Sequence, residues 1–248
     1  MTIQDSLHQT LEMLAKSDLP VTQEQLISLI DYTCLKLDAS AEDIQSLYTK
    51  ASELNVAAIC IYPQHLDIVP RQLPIIRATV VNFPAGDEPL THVLEEMERI
   101  KHEHLIHEID YVFPYRAYLS GNPSKALSHC KTVAQHCKQL DLTFKVILET
   151  GAFSLLNMVY DLSLAVIQTG CDFLKTSTGK ISQGASIPAA YAMLSAIQDS
   201  QVMCGLKLSG GIKTIEQART YIQLAEFMLK KAPDASWLRL GTSSIPAS

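Results

Sequence analysis

Thr143-Phe144-Lys145-Val146-Ile147-Leu148-Glu149-Thr150-Gly151 is followed, across a longer amphipathic segment, by Asp172-Phe173-Leu174-Lys175-Thr176 and then by Gly205-Leu206-Lys207. Short apolar runs separated by segments long enough for a helix are the pattern of parallel strands joined by crossover connections. The same alternation continues outward in both directions. It predicts strands at Leu29–Tyr32, Ala57–Ile61, Arg77–Val81, His107–Phe113, Thr143–Leu148, Asp172–Thr176, Gly205–Lys207 and Trp237–Leu240. Eight such runs in 248 residues suit one (β/α)8 barrel, which takes about 250 residues. The predicted fold is therefore α/β, a single TIM barrel with residues 1–248 as one domain.

Helical periodicity supports this reading. Ala41–Leu54 places Ile44, Leu47, Tyr48 and Ala51 on one face, and Pro89–His104 does the same with Leu90, Val93, Leu94, Met97 and Ile100. Pro123 and Pro188 fall near helix starts, where a missing N–H costs little, and Gly170 falls where a helix should end. An extra N-terminal helix over Ile3–Lys16 is expected to cover one mouth of the barrel. The chain stops eight residues after Leu240, where an eighth outer helix would begin, so that helix is expected to be cut short.

Twenty basic and 26 acidic side chains give a formal charge of −6, which argues against a general affinity for nucleic acid or an anionic membrane. The N-terminus has no basic stretch followed by an apolar run, and no window approaches the length of a membrane span. The expectation is a cytoplasmic enzyme. Six cysteines without a C-x-x-C pair call for no disulfide framework.

Chemistry in such barrels sits at the C-terminal strand ends. Lys145, Lys175 and Lys207 recur in three consecutive strands, with Asp110 and Glu149 available nearby. A lysine buried in a strand is costly if charged and unpaired. The bland reading is a carboxylate–lysine network that satisfies itself. The functional one follows from amine chemistry: an ε-amine attacks a carbonyl only when neutral, and its reference pKa is about 10.4. A second ammonium in a dry pocket favours the neutral form, so Lys175 and Lys207 suit Schiff-base catalysis. The iminium is then the electron sink, and no metal or cofactor is required. Asp110, directed inward with Glu108 and Val112, is the candidate general acid/base. Ser209-Gly210-Gly211 and Gly241-Thr242-Ser243-Ser244 follow the seventh and eighth runs. Barrel enzymes often bind phosphate at these two loops, so a phosphorylated sugar is the expected ligand.

These residues resemble the deoxyribose-phosphate aldolases of the DeoC family. The likeness runs from Asp31-Tyr32-Thr33 through Ala58-Ile59-Cys60-Ile61-Tyr62-Pro63, Val81-Asn82-Phe83-Pro84, Asp110-Tyr111-Val112-Phe113-Pro114-Tyr115-Arg116, the Lys145 and Lys175 segments, to Gly241-Thr242-Ser243-Ser244. It implies that Lys175 forms the imine, Lys207 keeps it neutral, and Asp110 with a water relays protons. The implied reaction is reversible cleavage of 2-deoxy-D-ribose 5-phosphate to acetaldehyde and D-glyceraldehyde 3-phosphate. Thr178, Lys180, Gly210, Gly211, Ser243 and Ser244 would line the phosphate end, Thr33 and Lys145 a polar network, and Cys60 the aldehyde end. Relatives are often dimers, which makes a homodimer the implied assembly. The family commonly has proline after the lysine matching Lys207, where this chain has Leu208, implying a less restrained backbone. Many relatives also continue into a further helix and a tail ending in tyrosine that assists proton transfer. For a chain ending at Ser248 the expectation is reduced turnover with the imine step intact.

Three other readings compete with this one. Another lysine-dependent aldolase or a transaldolase would differ in the sugar accepted, and a non-catalytic phosphosugar-binding protein would form no imine. A metal-dependent aldolase could use His102, His104 and His107, but their spacing across a helix end and strand start puts them near the barrel bottom as surface histidines. Cys60, within Ile59-Cys60-Ile61, reads by itself as a buried small hydrophobe, and Cys130 and Cys137 as helix packing.

Overall fold

In the computed structural model, which describes residues 2–244, strands β1 (Ile30–Cys34), β2 (Ala58–Ile61), β3 (Ile76–Val81), β4 (Glu108–Val112), β5 (Thr143–Ile147), β6 (Phe173–Lys175), β7 (Gly205–Ser209) and β8 (Leu238–Thr242) pair in parallel in chain order and close on themselves. Side chains alternate across a strand, and here the alternation is chemical. Ile30, Ile109, Tyr111, Phe144, Val146, Leu174, Leu206, Leu208, Leu238 and Leu240 join the apolar core under the helices. The intervening Asp31, Glu108, Asp110, Lys145, Lys175, Lys207 and Arg239 meet one another in the lumen. The (β/α)8 prediction is borne out, and the strand ends differ from it by a few residues. The seventh strand runs on to Ser209, because its register with β8 continues through Ser209 and Gly241.

Helices α1 (Ile3–Leu14), α2 (Gln23–Ser28), α3 (Ala41–Leu54), α4 (Leu90–Glu103), α5 (Tyr115–Leu119), α6 (Pro123–Gln139), α7 (Leu156–Ile167), α8 (Ile187–Ser200) and α9 (Ile215–Leu229), with short 3-10 helices at Pro63–Ile68 and Thr150–Ala152, complete the described elements. Local chemistry marks their starts. Thr2, Thr22, Ser40 and Thr214 each build a reciprocal capping box, satisfying N–H groups that have no partner within the helix. Pro123 opens α6, Pro188 lies in the first turn of α8, and Gly170 ends the α7 segment at φ +94°.

The N-terminal helix corrects one expectation. Its main contacts are with α7, α8 and α9, so it lies on the outer helical ring and does not seal a barrel mouth. Leu7 is buried there, packed with Ile3, Leu11 and Leu14, and Gln223 of α9 donates to the Leu19 carbonyl at 2.8 Å. This explains why α8 is buried on nearly all sides, from Ala189 through Leu194 to Ile197: one face meets the barrel and the other has neighbours of its own. Residues 245–248, where the shortened eighth outer helix was expected, lie outside the described residues. Among the described residues no helix is long and apolar enough to cross a membrane.

Candidate active site

Each inward position of the charged strands brings one ionisable group to the lumen, and the groups pair by proximity across the barrel. Asp110 on β4 is fully buried. Its Oδ2 accepts from Lys175 Nζ and from Lys207 Nζ, both at 2.7 Å, and its Oδ1 accepts from Lys145 Nζ at 3.2 Å. Lys207 also lies 2.5 Å from Asp31 Oδ2. Beneath them Arg239 bridges Asp31 Oδ1 at 2.7 Å and Glu108 Oε1 at 3.1 Å, while Lys145 contacts the other oxygen of Glu108. Gly241 makes room for this arrangement: a Cβ there would sit 2.9 Å from Ser209 Cβ and 3.3 Å from Lys207 Cε.

The electrostatics follow from this geometry. Burial alone would raise the carboxyl pKa of Asp110, but Lys145, Lys175 and Lys207 outweigh it and hold it well below the usual carboxylate range. Asp31 is likewise held low, by Lys207, Arg239 and Lys145 against burial. Burial opposes the charge of Lys207, yet Asp110 and Asp31 prevail and hold its ammonium above the ordinary lysine range. Lys145 is raised in the same way, burial being overcome by Asp110 and Glu108. Lys207 and Lys145 are thus firmly charged. Lys175 differs in having one carboxylate partner, Asp110, within ion-pair reach.

The predicted residues divide clearly. Lys175, Lys207, Asp110 and Lys145 are brought together. Lys145 is fully buried and contacts the Glu108 and Asp110 carboxylates. Thr33 stays outside this network, because its hydroxyl is spent on the Asp31 carbonyl of its own strand at 2.8 Å. Cys60 borders it, with Sγ 3.8 Å from Asp110 Oδ2. Burial and the Asp110 charge push its thiol up to about 11, so it is a packing group and not a nucleophile at neutral pH. Two participants do not stand out in the sequence: Asp31, at the start of Asp31-Tyr32-Thr33, and Arg239, an arginine flanked by leucines in a buried strand. The second was a usable signal, since an arginine at an inward strand position demands partners.

Around the mouth, the segment after β6 is fastened to its neighbours. The Thr178 backbone N–H and hydroxyl both donate to the Glu149 carboxylate, at 3.2 and 2.5 Å. Thr176 Oγ1 donates to the Ser209 carbonyl and accepts from the Ser209 N–H, and Ser209 Oγ donates to the Ser177 carbonyl. Gly184 abuts Gly210, where a Cβ would meet the Gly210 carbonyl oxygen at 2.3 Å. The two Gly/Ser loops are adjacent: Thr242 Oγ1 donates to the Ser244 carbonyl at 2.7 Å and lies 3.2 Å from the Ile212 carbonyl. Gly210 and Gly211 have φ of +88° and +83°, a region open to glycine, and Ser243 and Ser244 are exposed. Lys180, expected at the phosphate, donates instead to the Leu35 carbonyl at 2.6 Å.

The opposite side of the lumen is apolar. Cys60, Ala78 and Val80 pack with Leu35, Tyr62 and Phe83, and the Tyr62 and Phe83 rings meet edge-on at 5.7 Å. A cavity of about 250 Å³ lined by Tyr62, Val80, Phe83 and Arg99 adjoins this cluster and does not touch the lysines. The histidines are set apart from the site. His104 pairs with Asp67 at 2.8 Å, and the Nδ1 of His107 accepts from the Arg77 N–H at 3.1 Å. Only His102 and His107 of the three are exposed, since His104 is partly covered.

The chain is similar to known aldolases. A family model described as DeoC/LacD family aldolase matches residues 25–228. Among solved structures, the tetrameric deoxyribose phosphate aldolase from Aeropyrum pernix is 26% identical, with 99% of this chain and 95% of that chain covered at a TM-score of 0.75. A candidate deoxyribose-phosphate aldolase from Coccidioides immitis is 23% identical, with 98% and 94% covered at a TM-score of 0.78. A second candidate, from Toxoplasma gondii, is 18% identical, with 94% and 92% covered at 0.79. These last two share the fold.

Proposed function

The chain belongs to the DeoC/LacD family of aldolases, and from that premise we propose that it cleaves 2-deoxy-D-ribose 5-phosphate reversibly to acetaldehyde and D-glyceraldehyde 3-phosphate through a Schiff base on Lys175. The observation that carries the reading is the shared oxygen: Lys175 and Lys207 both reach Asp110 Oδ2 at 2.7 Å. Of these two amines, Lys207 has a second carboxylate in Asp31 and keeps its proton. Lys175 is the one that can yield its proton and attack.

In the proposed cycle Lys175 Nζ adds to the sugar aldehyde carbon and water leaves, forming the iminium. A base takes the proton of the 3-hydroxyl, the C2–C3 bond breaks, and its electron pair moves into the enamine while glyceraldehyde 3-phosphate departs. Protonation of the enamine carbon and hydrolysis then release acetaldehyde and restore Lys175. Asp110, acting through a water, is the proposed proton carrier, a role worth about 10²–10⁴-fold in rate. Thr178, Lys180, Gly210, Gly211, Ser243 and Ser244 are the proposed phosphate end. For Lys180 this requires leaving the Leu35 carbonyl when substrate arrives. The proposal takes residues 1–248 as one catalytic domain serving deoxynucleoside breakdown in the cytoplasm.

Borohydride reduction in the presence of acetaldehyde, followed by peptide mass mapping, tests the reading. A mass increase on Lys175 is expected, and its absence would sink the Schiff-base mechanism. Faster cleavage of fructose bisphosphate than of deoxyribose phosphate would overturn the sugar assignment alone.

A further inference from the structure

Beneath the lysines the lumen carries an uneven charge count. Three carboxylates, Asp31, Glu108 and Asp110, are ion-paired with four cations, Lys145, Lys175, Lys207 and Arg239. All seven side chains are buried, so an unbalanced charge is not screened by water and costs far more than it would at the surface. Within this ion-paired set of described residues, the excess positive charge is relieved when one cation surrenders a proton. Arginine does not do so in a protein, Lys145 and Lys207 each touch two or more carboxylates, and Lys175 touches one.

We propose that Arg239, which stands a layer below the reacting amine, is a positioning residue whose permanent charge makes the buried network expel a proton from Lys175. This rests on the Schiff-base reading above. The influence travels through shared carboxylates. Arg239 occupies Asp31 Oδ1 at 2.7 Å, so Asp31 only partly neutralises Lys207. Lys207 therefore also leans on Asp110 Oδ2, the oxygen that Lys175 uses. Arg239 also holds Glu108 Oε1 at 3.1 Å, in competition with Lys145, which turns its remaining attraction to Asp110. Both routes leave less of the Asp110 charge for an ammonium on Lys175.

Other charged or titratable groups face Lys175 without changing the sign. Glu149, just after β5, is a further buried carboxylate: burial raises its carboxyl pKa, while the two Thr178 hydrogen bonds and the charge of Lys175 lower it. Among the described residues it makes no ion-pair contact with the four cations, so it acts on Lys175 from outside the paired set. Cys60 on β2 has its thiol pushed up by burial and by Asp110. The Lys180 ammonium is held by the Leu35 carbonyl. Arg239 also stacks over the Phe173 ring at 5.8 Å, so a packing role must be told apart from a charge role.

The test is the pH at which acetaldehyde is trapped on the full chain by borohydride, read by mass. Arg239→Met should move the midpoint up by about one pH unit, so that trapping at neutral pH falls about tenfold. Glu108→Gln, which removes a negative charge, should move it down, and the double variant should return toward the wild-type midpoint. Arg239→Lys, which keeps the charge with poorer two-carboxylate geometry, should stay near the wild type. Shifts of Arg239→Met and Glu108→Gln in the same direction, no shift in either, or an equal shift in Arg239→Lys would overturn the assignment. If Arg239→Met does not fold, the sign of the Glu108→Gln shift decides alone. A wild type that traps nothing on Lys175 would instead refute the Schiff-base reading.

Discussion

Strands β2 and β3 line the barrel lumen with Cys60, Ala78 and Val80, packed with Leu35, Tyr62 and Phe83. Strands β1 and β4 to β8 line the other side with seven ion-paired side chains. The first side is held by burial, which is non-directional and tolerates exchange of one aliphatic residue for another of similar volume. The second requires each charge to find its partner, because removing one partner leaves an uncompensated buried ion, and an apolar replacement of the whole set would often be no less stable. A barrel stabilised only by its core would have no need of the charged side. Under the proposed Schiff-base reaction the charged half serves the chemistry, and the apolar half is a dry wall that strengthens the electrostatics facing it.

The comparison breaks most visibly at Lys175. Lys175→Leu should remove the borohydride adduct and lower turnover by on the order of 10⁴-fold or more, while the thermal midpoint stays the same or rises, since Asp110 keeps Lys145 and Lys207. Turnover that survives would move the nucleophile to another lysine. Asp110→Asn removes the only carboxylate in ion-pair reach of Lys175 among the described residues and one of the partners of Lys145 and Lys207. It should cost about 3–5 kcal/mol of stability, measured by denaturant unfolding at neutral pH.

Acid should weaken the same half. Asp110 and Asp31 have carboxyl pKa values lowered by folding. Their stabilisation is therefore fully present above the unfolded carboxylate value of about 3.9 and is lost as pH falls through the lower folded values. The Asn variant should show a shallower loss below about pH 4 than the wild type, and equal slopes would contradict this.

On the apolar side Val80→Ala should cost about 1.5–3 kcal/mol, independent of pH and with the midpoint of imine formation unmoved. A pH-dependent cost would blur the distinction between the halves. Smallest in energy, Lys207→Leu should shift that midpoint upward by about one pH unit, because Asp110 then serves Lys175 without a competing ammonium on the same oxygen. An unchanged profile would remove the role assigned to Lys207.

Much of this was legible in the residue order. Eight apolar runs announced the barrel, and Lys145, Lys175, Lys207 and Asp110 could be picked out as charged residues that the structure brings together in the lumen. The Gly/Ser loops after the last two strands were found in adjacent places. Arg239 and Asp31 were harder to select, because each looks ordinary within its own segment and becomes significant only when β8 closes on β1. The N-terminal helix was legible as a segment over Ile3–Lys16, but its resting place was not, because a single apolar stripe fits any complementary groove.

The sequence by itself determined the alternation along each strand, the helix boundaries and which residues carry charge, since these depend on neighbours one to four positions apart. Only the tertiary structure decided that two lysines share one oxygen of Asp110, that Arg239 stands beneath them, that Thr33 is spent on its own strand, and that α1 lies on α7, α8 and α9. Those outcomes depend on how eight strands are staggered when the sheet closes. Stagger sums contacts over the whole chain, so no local window contains it.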